Sequence, residues 1–283
     1  MKSAAIVTDT NSGITEEQAK RLDISLIPMP FLINGKQYME GKNCPVPAFF
    51  AKLAEGAVVS TSQPSPGEIV RLWEKLLKKH EAVLHFPMSS ALSGSCQTAK
   101  ALAMDYPGRV FVVDNQRISV TLMQSILDAR KLLEMGKKAA EVQEILEKES
   151  LDASIYLAVN TLEYLKKSGR ITAAAAAMAT VLSLKPVLQI QGGKLDAFKK
   201  ARGMKQAKSV MAEAMRRDLA TRFVGREVAL FAAYSGLEEE GREWLAEVQE
   251  LFPDRKVALS HLPISICCHV GAGARAIACA RVL

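Results

Sequence analysis

The chain has 283 residues, of which 49% are hydrophobic and 24% are charged, a balance that excludes an intrinsically disordered protein and, at this length, favours about two domains of roughly 140 residues each. The net charge of +7 is accompanied by no RNA-binding aromatic signature and no helix-turn-helix, so we do not expect nucleic-acid binding. The five cysteines have no CxxC spacing, which indicates neither a disulfide framework nor a zinc ribbon and favours a reduced, cytoplasmic protein.

The first part of the chain, residues 1–152, alternates predicted strands and helices. The predicted strands cover residues 3–9, 24–33, 81–88 and 109–114. The first predicted helix begins at Thr15, and five further helices are predicted over residues 47–53, 66–80, 91–105, 118–134 and 139–149. Asn34-Gly35 is typical of a hairpin turn. This alternation predicts an α/β domain whose parallel sheet is flanked by helices.

The second part, residues 153–283, is less regular and predicts a C-terminal α/β domain with a mixed sheet. Strands are expected over residues 153–159, 227–235, 257–262 and 276–283, a hairpin over 185–202, and helices over 162–167, 173–182, 205–222 and 238–251. We place the domain boundary near residue 152. The longest nearly uncharged run, residues 171–184, is shorter than the ~20 residues that span a bilayer, and the N-terminus lacks an apolar signal core.

Two hydroxyl-rich turns are the most informative segments. Residues 61–65 read TSQPS, and residues 89–95 read SSALSGS directly after the strand predicted at 81–88. Loops at the carboxyl ends of parallel strands meet at a common crevice, where hydroxyls and helix N-terminal amides suit a carboxylate or a phosphate. Either turn alone is explained by helix capping, but the two together favour a binding site.

A basic stretch spans residues 166–208, with ten basic residues and one acid, Asp196. It either attracts an anionic partner or forms a solvated surface, and its composition leaves both readings open. Within it, Gly169 is typical of a helix C-cap and Arg170 follows directly. Arg202 ends the predicted hairpin.

The tail motif HVGAGARA begins at His269, which is either a buried structural histidine or a ligand contact. His269 could act as the base of a serine hydrolase, but Ser93-Gly94 lacks the preceding glycine of a nucleophile elbow. A metal site at Cys267, Cys268 and His269 is disfavoured, because adjacent residues of a strand point to opposite faces.

Nine segments in this order resemble the DegV family, the bacterial fatty-acid-binding proteins that serve as acyl-carrying subunits of fatty acid kinase. They are IVTDT (6–10), PMPFLINGKQY (28–38), TSQPS (61–65), SSALSGS (89–95), the strand ending at Asp114, NTLEYLKKSGRI (160–171), LKPVL (184–188), KKARGMKQA (199–207) and HVGAGA (269–274). Among the departures from the family pattern, Thr10 stands where a serine is common, and Ala272 lies in a tail that usually reads Gly-Pro-Gly.

The resemblance implies two α/β domains that enclose one long-chain fatty acid, of the palmitate or oleate class, at their junction. It implies that the carboxylate meets Thr61 and Ser93, with His269 nearby. Ser62 and Gly94, in the same two turns, are further candidate ligand-binding residues. Arg170 and Arg202 are implied to form a basic surface around that carboxylate, on which a kinase subunit docks.

The function expected from the sequence is therefore that of a carrier without cofactor, metal or catalytic residues of its own. The partner kinase would phosphorylate the bound carboxylate with ATP, and transient membrane contact would serve lipid exchange. The chain itself shows no phosphate-binding loop of the Walker type. The alternatives are a serine-dependent acyl hydrolase or transferase, and a nucleic-acid-binding regulator that uses the basic stretch.

Overall fold

The computed structural model describes residues 2–177 and 184–283, and the strands in these ranges form three sheets. The strands are β1 (Lys2–Asp9), β2 (Ile24–Ile27), β3 (Pro30–Ile33), β4 (Lys36–Met39), β5 (Val59–Thr61), β6 (His80–Phe86), β7 (Val110–Val112), β8 (Ala153–Ala158), β9 (Leu184–Ile190), β10 (Asp196–Arg202), β11 (Val228–Tyr234), β12 (Val257–His261) and β13 (Arg275–Arg281). The α-helices are α1 (Glu16–Leu22), α2 (Val46–Ala54), α3 (Pro66–Leu77), α4 (Ser95–Ala103), α5 (Ser119–Glu134), α6 (Ala139–Lys148), α7 (Glu163–Ser168), α8 (Ala173–Ala177), α9 (Gly203–Thr221), α10 (Glu238–Leu251) and α11 (Ile264–Val270).

The first sheet is parallel and has the strand order β2-β1-β6-β7. Successive side chains point to opposite faces, so Ile6 and Leu84 join the core under α5 and α6. Val7 and Val83 join the core on the other face, around Trp73 of α3. The predicted parallel sheet flanked by helices is therefore confirmed.

A small antiparallel sheet with the order β4-β3-β5 follows β2 in the chain. Asn34 and Gly35 both have positive φ, at 50° and 79°, as the predicted hairpin between β3 and β4 requires. Strand β5 was not predicted, because three residues are too few to show alternation. It pairs with β3 and ends at Thr61, which lies opposite Phe31.

The third sheet is mixed, with the order β10-β9-β8-β13-β11-β12, and only β11 and β12 are parallel. Tyr156 of β8 faces the core under α9 and α10, whereas Ile155 and Leu157 face a core that also contains Phe31 of the small sheet. The predicted mixed sheet is confirmed. Its strand β8 begins at Ala153, but the domain boundary near residue 152 stays a prediction.

Several predicted elements differ from those in the structure. The helix expected from residue 91 begins at Ser95, because Ser89 to Gly94 form a separate turn. Residues 264–270 form helix α11, so placing Cys267 to His269 on a strand was wrong. Of the helix expected over 173–182, α8 covers Ala173–Ala177, and the last five positions lie outside the described residues.

Candidate functional site

The end of β5 brings a hydroxyl into contact with the C-terminal part of the chain. Thr61 is half-buried, and its Oγ1 lies 2.9 Å from Nε2 of His269, 208 residues away in sequence. His269 lies near the end of α11, which stops at Gly271, where φ is 72° and a Cβ would lie 2.9 Å from the ring of Tyr164. Gly271 is therefore required both by the left-handed backbone conformation and by the lack of space for a Cβ.

His269 is neutral at physiological pH. Burial, with a smaller contribution from the positive charge of Arg170, lowers the pKa of this histidine from 6.5 to about 4. Its Nδ1 is buried without a hydrogen-bond partner, so Nε2 makes the only hydrogen bond found for the ring among the described residues. With the proton on Nε2, the ring donates to Thr61 Oγ1 and leaves the threonine O–H available to an acceptor.

The second hydroxyl-rich turn leads from β6 into α4. The Ser89 carbonyl accepts the N–H groups of Leu92 and Ser93. Ser93 Oγ in turn accepts the N–H of Ser95, the first residue of α4, at 3.2 Å. This bond uses only a lone pair of Ser93, so its O–H can still donate to a ligand. The N-cap of α4 is the exposed Gly94, which makes no side-chain cap hydrogen bond.

A cavity of about 230 Å³ joins these groups. All five residues expected to bind the ligand line it, namely Thr61, Ser62, Ser93, Gly94 and His269. Its apolar wall consists of Met29, Met88, Leu92, Ile118, Leu165, Leu195, Ile266 and Val270. Polar groups and an apolar wall in one cavity suit an amphiphile with an anionic or polar head group.

The two arginines assigned to docking lie in different places. Arg170 follows the left-handed cap at Gly169, donates to the Ser168 carbonyl and lines the cavity. Arg202 is exposed at the end of β10 and is not among the cavity residues. Ile171 bridges to Leu195, the residue immediately before β10, so Arg202 at the far end of that strand lies about 20 Å further along.

Sequence reasoning missed three polar residues of the cavity, namely Gln63, which lies within the TSQPS turn, and Asn11 and Ser265, which lie outside both turns. Asn11 follows the carboxyl end of β1, so the rule that located the Ser89–Ser95 turn could also have found it. Ser265 precedes His269 by four residues and therefore shares its face of α11. That relation is visible only once the segment is known to be helical.

The geometry does not form a hydrolase triad. His269 Nε2 is bonded to Thr61 rather than to Ser93, and Nδ1 has no carboxylate to orient it. Within residues 2–177 and 184–283, no group of three or more His, Cys, Asp or Glu side chains is arranged to hold a metal ion. In the same ranges no helix combines the length and the apolar character needed to cross a membrane.

The family model described as the DegV family of uncharacterised proteins matches residues 3–282. The chain belongs to the DegV family. A DegV domain-containing protein of Deinococcus radiodurans is 34% identical over 242 residues, which is 84% of each chain. One from Clostridium perfringens is 28% identical over 98% of this chain and 97% of its own.

Solved DegV structures share the whole fold. One described as showing fatty acid binding of a DegV family protein from Thermus thermophilus has a TM-score of 0.89 and 33% identity, over 99% of this chain and 100% of its own. DegV from Bacillus subtilis, described as a fatty acid binding protein, has a TM-score of 0.87 and 25% identity over the same shares. The resemblance seen in the sequence is thereby confirmed.

Proposed function

We propose that this chain is a fatty-acid-binding protein that encloses one long-chain fatty acid, of the palmitate or oleate class, with the carboxylate at Thr61 and Ser93. The observation that carries the proposal is the convergence of these two hydroxyls and neutral His269 on one cavity with an apolar wall. The fatty acid binding described for the Thermus and Bacillus relatives supports it.

The two ends of such a ligand contribute to the free energy of binding in opposite directions. At ~0.8 kcal/mol per buried methylene, a sixteen-carbon tail contributes up to roughly 12 kcal/mol before the costs of association. The carboxylate is costly to bury without hydrogen bonds, and the hydroxyls of Thr61 and Ser93 together with the charge of Arg170 offset that cost.

The size of the cavity requires movement on binding. About 230 Å³ is below the roughly 300–1,000 Å³ of typical ligand pockets, so an acyl tail has to displace side chains of the apolar wall. Met29 and Met88 suit this, because methionine is unbranched and fills irregular space easily.

The test is native mass spectrometry of the purified protein, followed by lipid extraction and by uptake of palmitate or oleate after delipidation. We expect one fatty acid per chain. Ile266→Trp, which fills part of the cavity, is the control and should carry less lipid. A protein that contains no fatty acid and takes up neither palmitate nor oleate contradicts the proposal, and steady hydrolysis of an acyl ester would favour the hydrolase alternative.

We further propose that a partner kinase subunit phosphorylates the bound carboxylate. A carboxylate oxygen would attack the γ-phosphorus of ATP, forming an acyl phosphate while the bond to the β-phosphate oxygen breaks and ADP leaves. In this proposal the chain is a cytoplasmic carrier that contacts membranes only to exchange lipid. The five buried and unpaired cysteines are compatible with a reducing compartment.

Separate substitutions of Arg202 and Arg170 test the docking step. Exposed charges at the rim of an interface govern association rate and salt dependence, so Arg202→Ala should keep its fatty acid and be a poor substrate for a cognate kinase at low salt. Arg170→Ala should also be a poor substrate and keep its fatty acid, and the double variant should be poorer still; lost lipid would mean that Arg170 holds the ligand directly. Full phosphorylation in the double variant would refute docking through these arginines.

A further inference from the structure

A buried carboxylate connects the small sheet to helix α11 through hydrogen bonds. Glu40 directly follows β4 and is 8% exposed. Its oxygens accept the Thr10 O–H at 3.1 Å, the Ser265 O–H at 2.6 Å and the Ser265 N–H at 3.4 Å, and also the N–H of Ile264. Burial raises the pKa of this carboxyl group, and the donors oppose that rise. A carboxylate at the first N–H groups of a helix satisfies donors that have no partner within the helix.

The same sheet and the same helix also meet at the candidate site. Thr61 of β5 and Glu40 after β4 both belong to the segment built around β3, whereas Ser265 and His269 are one turn apart on α11. The sheet therefore holds the helix at two points, Glu40 at its beginning and Thr61 near its end. Rotation or sliding of α11 that breaks the first contact also moves His269 away from Thr61.

We infer that Glu40 is a positioning residue for the head-group site: it anchors α11 so that His269 faces Thr61 and the threonine O–H points to a carboxylate in the cavity. The inference rests on the proposed function, since it assigns Glu40 to the recognition of the fatty acid head group. Glu40 itself is not among the residues that line the cavity around Thr61.

The test compares two ligands with the same tail, palmitate and methyl palmitate, on delipidated Glu40→Ala and Glu40→Gln. Loss of a well-placed hydrogen bond to a charged group corresponds to about tenfold or more in affinity. We expect Glu40→Ala to bind palmitate about tenfold more weakly and methyl palmitate unchanged. Glu40→Gln keeps the side-chain shape and one acceptor oxygen, so it should fall between wild type and Glu40→Ala, and it carries the test if Glu40→Ala does not fold.

Asp218→Asn is the matched control, because Asp218 is a buried carboxylate that accepts from Ser154, Tyr156 and Gln191 away from the cavity. It should lower stability and leave the ratio of the two affinities unchanged. Equal weakening of both ligands in the Glu40 variants, or unchanged palmitate binding, would overturn the inference.

A second measurement separates this inference from the proposed function. ¹⁵N spectra of the His269 ring in ligand-free protein should show one neutral tautomer in wild type and an average of two in Glu40→Ala. An unchanged spectrum in Glu40→Ala refutes the positioning role even if palmitate binds. Failure of wild type to bind palmitate refutes the proposed function and leaves the spectral comparison valid.

Discussion

Replacing Thr61 by valine isolates the head-group hydrogen bond. Valine keeps the β-branched shape that suits β5 and its pairing with Phe31, and removes only the hydroxyl. The bound carboxylate then loses one donor, which for a charged acceptor costs about 1.5–3 kcal/mol, or roughly 10- to 150-fold in affinity. His269 Nε2 also loses its partner at 2.9 Å, so the protein should unfold more easily by about 1 kcal/mol.

The assay is calorimetric titration of delipidated protein with palmitate and with methyl palmitate. Thr61→Val should weaken the binding of palmitate far more than the binding of methyl palmitate, because the ester carries no charge. Thr61→Ser is the control, since it retains the hydroxyl and should stay within a few-fold of wild type. The reasoning is refuted if Thr61→Val binds palmitate as wild type does, or if both ligands weaken equally.

Three further predictions follow from the site. Ser93→Ala should weaken palmitate binding by about 1.5–3 kcal/mol in the same titration and, because the acceptor of the Ser95 N–H is lost as well, lower the free energy of unfolding by about 1 kcal/mol. An affinity equal to that of wild type would show that the carboxylate does not bind at Ser93. Burial lowers the pKa of His269 to about 4, so below pH 6.5 the unfolded chain binds a proton that the folded chain does not. When the pH falls from 7.5 to 5, the free energy of unfolding of wild type should therefore decrease by about 2 kcal/mol more than that of His269→Gln. Urea denaturation at a series of pH values measures this, and the same pH dependence in both proteins would contradict it. Gly271 has a positive φ and no room for a Cβ, so Gly271→Ala should lower the free energy of unfolding by about 2 kcal/mol or more. Gly169→Ala is the control and should lower it by about 1 kcal/mol, because φ is 66° there but the space is open. Similar losses in the two variants would show that the close contact at Gly271 does not matter.

The parallel sheet and the two hydroxyl-rich turns could be predicted because each depends on a local pattern. Residues 3–9 and 81–88 are apolar runs that end in polar turns, and the carboxyl ends of such strands in one sheet must lie side by side. The sequence alone therefore predicts that Ser93 and its neighbours lie at a crevice. The hairpin at Asn34-Gly35 was likewise fixed by two residues that tolerate positive φ.

The parts that could not be predicted depend on contacts distant in sequence. Helix α11 is seven residues long and contains two cysteines and three β-branched residues, Ile264, Ile266 and Val270, so its pattern resembles a strand as much as a helix. Glu40 lies in the segment YMEGKN, which looks like an exposed turn. It is buried because α11, more than 220 residues later, supplies its hydrogen-bond donors.

The proposed function requires that the carboxylate be held firmly and yet keep an oxygen that can react. A carboxylate enclosed by several cations would be held firmly, but its charge would be neutralised and its oxygens covered. Here the central histidine is neutral, Arg170 is the only cation among the described lining residues, and the hydroxyls of Thr61 and Ser93 are the proposed donors to the carboxylate. On one side the cavity is bordered by Ser62 and Gly94, which are exposed, and Gly94 has no side chain to cover it. Half-buried hydroxyl donors beside exposed small residues therefore suit a carrier that presents its ligand to another protein.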